Sequence, residues 1–278
     1  FVFLLPKTGD QFLGELLYRI DEANTAFSAE MIRIDVIRIP ENDPHRIAAL
    51  LATLDPETVD GIAIMAPESP QVRDAMLRLE ERRIDTLSFI SGQSRTTGGD
   101  AVGIDNRAAG ATAGRLMGRF SGARSGKVLV IAETMQSRDS LERRLGFDQV
   151  INADFPNLHV LPSLETWGDK TRAEKIVQTS FASHPDIVGI YILTSEARGP
   201  LQAIATAPHE NGPVTIAHER TPFTEAALNA GELDAVIAQN PGHLVRSAIR
   251  ILKARSDQKE PLASQETIRI EILLKENT

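Results

Sequence analysis

Four side chains able to hold a polar ligand stand just past short apolar runs. Asp105 follows "AVGI", Arg143 lies beyond "GKVLVIAE", Glu219 comes after "PVTIAH", and Gln239 closes "LDAVIAQ". Thr194 and Ser195, with Glu196 next, form a further polar cluster after "DIVGIYIL". Two carboxylates, a guanidinium and an amide supply donors and acceptors in the mixture that a polyhydroxylated ligand requires, since each buried hydroxyl left unpaired costs about 1–3 kcal/mol. A planar guanidinium also suits bidentate recognition of vicinal hydroxyls or carboxylates. Phe12, and the single tryptophan, Trp167, in "ETWGD", are the aromatic candidates for a stacking face.

Each of these residues has an ordinary alternative. Asp105, followed by "NRAAG", is well placed to cap a helix. Phe12 has the spacing of a core residue, and Trp167 can be a partly buried anchor. In "SRDSLERRLGF", Arg143 and Arg144 are about 100° apart on a helix. Arg144 can pair with Ser140 or Asp148 one turn away, whereas Arg143 points to the side where the strands end.

Other chemistries lack their signatures. Ser195, His218 and Asp105 can be assembled on paper into a triad, but no GxSxG elbow supports it. "RTTGGD" at 95–100 precedes a strand rather than a helix, so it does not read as a phosphate-binding loop. His45, His159, His184, His209, His218 and His243 show no metal-ligand spacing. The chain has no cysteine, which removes disulfides and thiolate chemistry. It carries a formal charge of -8 and a pI of about 5.4, with basic clusters no longer than pairs, which makes it a poor nucleic-acid binder by itself. No run of 18 apolar residues exists. Neither enzyme nor metal nor cofactor is expected.

The elements that position these residues alternate from end to end. "FVFLLP" reads as a strand, and Leu13, Leu16, Leu17, Ile20 and Ala23 recur at helical spacing after it. "MIRIDVIRIP", "GIAIMAP", "IDTLSFIS", "AVGID", "GKVLVIAE", 157–162, "DIVGIYIL", "PVTIAHE", "LDAVIAQ" and "TIRIEILL" are further strands. Helices are expected near 43–54, 70–82, from 106, from 139, and near 169–183, 197–206, 222–231 and 242–254. This pattern predicts α/β architecture with parallel sheets covered on both faces. The strands outnumber the eight of a closed barrel, so two doubly wound lobes with a ligand cleft between them are expected.

"VGIDNRAAGATAGRLM", "SRDSLERRLGF" and "LDAVIAQNPGHLVRSAIRIL" resemble the effector-binding core of LacI/GalR-type transcription regulators, which share the type I periplasmic-binding-protein fold with ribose-binding proteins. The resemblance runs along the whole chain. It implies an N-terminal lobe of 1–105 plus 241–262 and a C-terminal lobe of 106–240 plus 263–278, with crossovers near 105–107, 239–241 and 262–266. It implies that Phe12, Asp105, Arg143, Trp167, Thr194, Ser195, Glu219 and Gln239 contact a sugar effector. Thr194-Ser195 replaces the family's usual Asn-Asp, and Asn240 the usual Asp, which bears on which sugar is bound. The main expectation is a sugar-sensing, homodimeric, cytoplasmic regulator, with no membrane contact. It would reach operator DNA through a helix-turn-helix upstream of Phe1. A periplasmic sugar-binding protein of an ABC transporter is the alternative. On this reading Arg143→Ala abolishes the ligand response and leaves the fold and dimer intact.

Overall fold

The computed structural model describes residues 1–40, 43–90, 101–195, 197–206 and 212–278, with 263 and 264 described in backbone only. "RTTGGD" and Glu196 lie outside the described residues. The chain divides into two compact units, Phe1–Ile104 with Asn240–Arg269, and Asp105–Gln239 with Ile270–Thr278.

The first unit begins β1 (Val2–Pro6), α1 (Gln11–Phe27), β2 (Asp35–Ile39), α2 (Pro44–Ala52), β3 (Gly61–Ile64), α3 (Pro70–Glu81), β4 (Asp85–Phe89), β5 (Ala101–Val102). Its sheet is parallel, in the order β2-β1-β3-β4-β5. Val2, Leu4, Ile62 and Ile64 of the sheet share a core with Ile47, Leu51, Val72 and Leu79 of the helices. Phe3 meets Phe89 edge-on, ring centroids 5.2 Å apart. Asp10, Asp43 and Ser69 cap α1, α2 and α3 through their side-chain oxygens.

The second unit contains α4 (Asn106–Ser121), β6 (Gly126–Ala132), α5 (Arg138–Asp154), β7 (Leu158–Val160), β8 (Leu164–Glu165), α6 (Lys170–Ser183), β9 (Ile187–Ile192), α7 (Arg198–Thr206), β10 (Val214–His218), α8 (Pro222–Ala230) and β11 (Ala235–Ala238). The chain then re-enters the first unit as α9 (Pro241–Ser256) and the short α10 (Ala263–Glu266), and ends in the second unit with β12 (Glu271–Leu273). This sheet runs β12-β11-β10-β9-β6-β7, with β8 also pairing β6. The five strands β7, β6, β9, β10, β11 repeat the order of the first sheet. β9 and β11 carry unbroken apolar sequence and are buried almost throughout, as strands covered on both faces must be.

Three features depart from the sequence reading. "TIRIEILL" contributes only the three residues of β12, and they pair antiparallel with β11. "AVGID" yields a strand of only two residues, β5. The last crossover falls after Arg269, so 263–269 belongs to the first unit rather than the second. The physical reason is an anchor to α9: Glu266 receives Arg250 Nε and Nη2 at 2.7 and 2.8 Å, and the Gln265 carbonyl meets His243 Nε2 at 2.9 Å.

Candidate functional site

In an open α/β sheet the ligand-facing edge is at the carboxyl ends of the strands, where the strand order reverses. In the second unit that point lies between β6 and β9. Arg143, on the helix after β6, is buried there with 5% of its surface exposed. Its Nη1 donates to the carbonyl of Leu193, the residue just past β9, at 3.1 Å. Its Nε donates to Asn106 Oδ1 at 2.9 Å, and its Nη2 to Glu219 Oε1 at 3.2 Å. Gln239 Nε2 donates to the same Glu219 oxygen at 3.0 Å. Asn106 at the start of α4, Leu193 after β9 and Glu219 after β10 therefore converge on the Arg143 guanidinium, and Gln239 after β11 joins through Glu219.

Close helix packing makes this possible. A Cβ on Gly110 of α4 would lie 1.8 Å from the Arg143 carbonyl oxygen, and one on Gly146 of α5 would lie 1.9 Å from that of Arg107. Backbone meets backbone at both points, and Asn106, one turn before Gly110, is thereby brought within reach of Arg143. Glu219 adopts a left-handed backbone, φ 66°, a conformation that costs an ordinary L-residue about 1–2 kcal/mol. Its N–H donates to the Ile237 carbonyl at 2.9 Å, and its carbonyl accepts from Thr224 Oγ1 at 2.9 Å, which holds the turn.

The arrangement is a buried ion pair with unused hydrogen-bonding capacity. A guanidinium has five N–H donors, and three of those of Arg143 are engaged. Gln239 Oε1 is shut from solvent and has no hydrogen-bond partner among the described residues. A ligand offering a hydroxyl, which both donates and accepts, fits this remainder.

Behind the pair lies a neutral aromatic layer. Phe147 stacks on Tyr191 with ring centroids 4.4 Å apart, and the Tyr191 hydroxyl shares a 2.7 Å hydrogen bond with His218 Nε2. His218 Nδ1 is buried without a partner among the described residues. Burial, and next the charge of Arg143, hold the imidazole well below its ordinary value of 6.5. Burial also pushes the Tyr191 phenol up. Because the folded state disfavours protonated His218, the unfolded chain binds the extra proton first. Stability is thus full above about pH 6.5 and falls as the pH drops below it, by up to about 1.4 kcal/mol per pH unit. His218→Gln is expected to flatten this slope between pH 6.5 and 5 in urea titrations; parallel slopes in the two proteins would refute the assignment.

The remaining sequence candidates are placed as follows. Asp105 is exposed and accepts the Ala108 N–H at 2.9 Å, so its carboxylate acts as the N-cap of α4. Asp105→Ala should cost about 1 kcal/mol of stability in thermal melts. Should Asp105→Ser restore that loss, capping is its role; failure of Ser to restore it would point to a role for the carboxylate charge. Thr194 is buried and Ser195 half-buried, directly after the Leu193 carbonyl that Arg143 grips. Trp167 is 49% exposed, held in a left-handed turn with φ 55° by its N–H bond to the Glu133 carbonyl at 2.8 Å. Phe12 lies in the first unit, buried on α1 beside Leu13 and Leu16. Arg144 pairs with Asp148, both carboxylate oxygens at 2.8 Å from Nε, and also reaches Ser163. His218 bonds neither Ser195 nor Asp105, so the triad is not assembled. No cluster of three or more metal-binding side chains occurs among the described residues.

Asn106 and Tyr191 are not singled out as site residues by the sequence, and His218 enters there only as a member of the unsupported triad. Asn106 carried one signal, its place directly after Asp105 at the start of a helix. Tyr191 sits inside an apolar strand and carried none.

Arg143 also changes one expectation. A cation buried against Glu219 and two further acceptors is part of the packing, so Arg143→Ala is expected to cost folding stability as well as the ligand response.

Residues 1–260 match the periplasmic binding protein domain family model. The chain belongs to that family. Among its curated relatives, the ribose import binding protein RbsB of Escherichia coli is 26% identical over 231 residues, 80% of this chain and 76% of the relative. Two solved structures share the fold at lower identity. An ABC transporter solute-binding protein from Burkholderia graminis, in complex with D-arabinose, has a TM-score of 0.83 at 22% identity, covering 99% of this chain and 95% of that one. A structure described as a putative LacI transcriptional regulator from Bacteroides fragilis has a TM-score of 0.83 at 19% identity, covering 99% and 96%. The family membership makes the chain a binding protein rather than an enzyme.

Proposed function

We propose that this chain is a sugar-binding protein that delivers its ligand to an ABC importer. The observation that carries the reading is the buried cluster of Arg143, Glu219, Gln239 and Asn106. It stands at the strand ends of a doubly wound sheet, with N–H donors and the Gln239 amide oxygen still unengaged. Vicinal hydroxyls complement it: one lone pair for a free Arg143 N–H, one O–H for Gln239. Thr194 and Ser195 border the same edge and offer further hydroxyl contacts, and Trp167 offers an exposed ring face. The likeness to a ribose import binding protein over 80% of the chain supports import over regulation.

Regulation is the second reading, favoured by the sequence motifs and by the fold shared with the Bacteroides protein. The cytoplasmic location, homodimer and operator DNA expected from sequence belong to that reading. On the import reading the protein works as a monomer outside the cytoplasmic membrane.

A thermal-shift screen against pentoses, hexoses, disaccharides and sugar acids tests the proposal. A ligand at about 100 times its dissociation constant stabilises the folded state by about 2.7 kcal/mol. At least one aldose is expected to do so, with the protein monomeric by light scattering. A sugar response from a stable dimer would favour regulation, and silence across the whole panel would remove the sugar reading.

A further inference from the structure

We infer that Glu219 makes this site refuse anionic ligands, by cancelling the charge of Arg143 from within the protein. The inference rests on the proposed sugar-binding reading and specifies what the site excludes.

A buried guanidinium cannot shed its proton, and by itself it is the group best suited to grip a carboxylate or phosphate in bidentate fashion. Here that role is occupied from inside. Glu219 Oε1 sits 3.2 Å from Arg143 Nη2, and both side chains are almost wholly buried, 2% and 6% exposed. The other two acceptors on the guanidinium are uncharged, the Asn106 amide and the Leu193 carbonyl. The neighbouring cation, Arg144, is matched separately by Asp148. Among the described residues Glu219 is the one anion bonded to Arg143. Its backbone is pinned in a left-handed turn from both sides, and Gln239 holds the same carboxylate oxygen that meets Arg143. The carboxylate is therefore fixed in place, and a second carboxylate brought in by a ligand meets a neutral pair with an anion at its centre. Glu219 acts on selectivity through Arg143, as a positioning and specificity-setting residue.

The test is isothermal titration calorimetry at pH 7.5 on wild type, Glu219→Gln and Glu219→Asp. The probes are D-ribose, D-arabinose, D-xylose, D-glucose and D-galactose, with D-glucuronate and D-galacturonate as the anionic set. Wild type is expected to bind a neutral sugar and to disfavour both uronates. Glu219→Gln keeps the shape and an acceptor but removes the charge. Its uronate-to-sugar affinity ratio is expected to rise about a hundredfold or more, the scale of one unit charge at close range in a partly buried site. Glu219→Asp retains the charge and is expected to keep the exclusion. A merely structural role for Glu219 would weaken every ligand alike and leave the ratio unmoved, and that result overturns the inference. Should Glu219→Gln not hold its fold, the wild-type ratio decides: a uronate bound within tenfold of the best sugar overturns it, and a larger gap retained by Glu219→Asp supports it. Wild type binding none of the seven probes removes the sugar reading itself, a failure distinct from an unmoved ratio.

Discussion

Arg143→Ala is expected to lose about 3–5 kcal/mol of folding stability together with measurable sugar binding. The loss of stability follows from what the side chain leaves behind. Glu219 Oε1 would keep the Gln239 amide but lose the cation that balances its buried negative charge, while Asn106 Oδ1 and the Leu193 carbonyl would each lose a donor. Orphaned acceptors in a buried site cost about 1–3 kcal/mol apiece when no water replaces the donor. The double variant Arg143→Ala/Glu219→Ala removes both charges, and it is expected to be no worse than the single variant, or to recover part of its loss. Urea denaturation of the single and double variants closes a cycle that isolates the pair. An Arg143→Ala protein within about 1 kcal/mol of wild type would mean that the ion pair is solvated and exchangeable, contrary to its burial. The comparison also separates binding from folding. If Glu219→Ala retains sugar binding while Arg143→Ala does not, the guanidinium touches the ligand and the carboxylate positions it.

The second large effect is expected at the crossing of α4 and α5. Gly110→Ala places a methyl group 1.8 Å from the Arg143 carbonyl oxygen and 2.7 Å from its Cα. Gly146→Ala does the same to the Arg107 carbonyl at 1.9 Å. No flexible side chain can yield at either point, so the helices must move apart. Overpacking of this kind costs typically 1–3 kcal/mol and occasionally more; with backbone on both sides about 3 kcal/mol or more is expected. Separation would also draw Arg143 away from Asn106, so sugar affinity should fall in any Gly110→Ala protein that still folds. Gly14→Ala is the control, since nothing lies within 4 Å of a Cβ there and the residue is inside α1. It should stabilise by about 0.5–1 kcal/mol through helix propensity alone. Equal urea midpoints for Gly110→Ala and wild type would show that the crossing is looser than its geometry.

Much of this architecture is written locally in the chain. Runs such as "VLVIA" and "IVGIYI" carry no charged residue because strands covered on both faces have no solvent side, and each is followed by a helix. Asp105 as a cap and Arg144 paired with Asp148 are likewise local, settled by neighbours three and four residues away. β12 carried too little signal to show its direction, because three residues at a sheet edge take their orientation from the neighbour they pair with. The return point at Arg269 was hidden for a similar reason. It depends on Glu266 reaching Arg250, a contact that no periodicity announces.

By itself, then, the sequence determined the alternation of strands and helices, the two-lobed α/β class and which strand ends carry polar side chains, since these follow from hydrophobic period and capping within a few residues. Tertiary structure alone decided that Arg143 is a buried partner rather than a free arm. Its three bonds join residues 37, 50 and 76 positions away in the chain, and only the packing of α4 against α5 and the ends of β6, β9 and β10 bring them to one guanidinium.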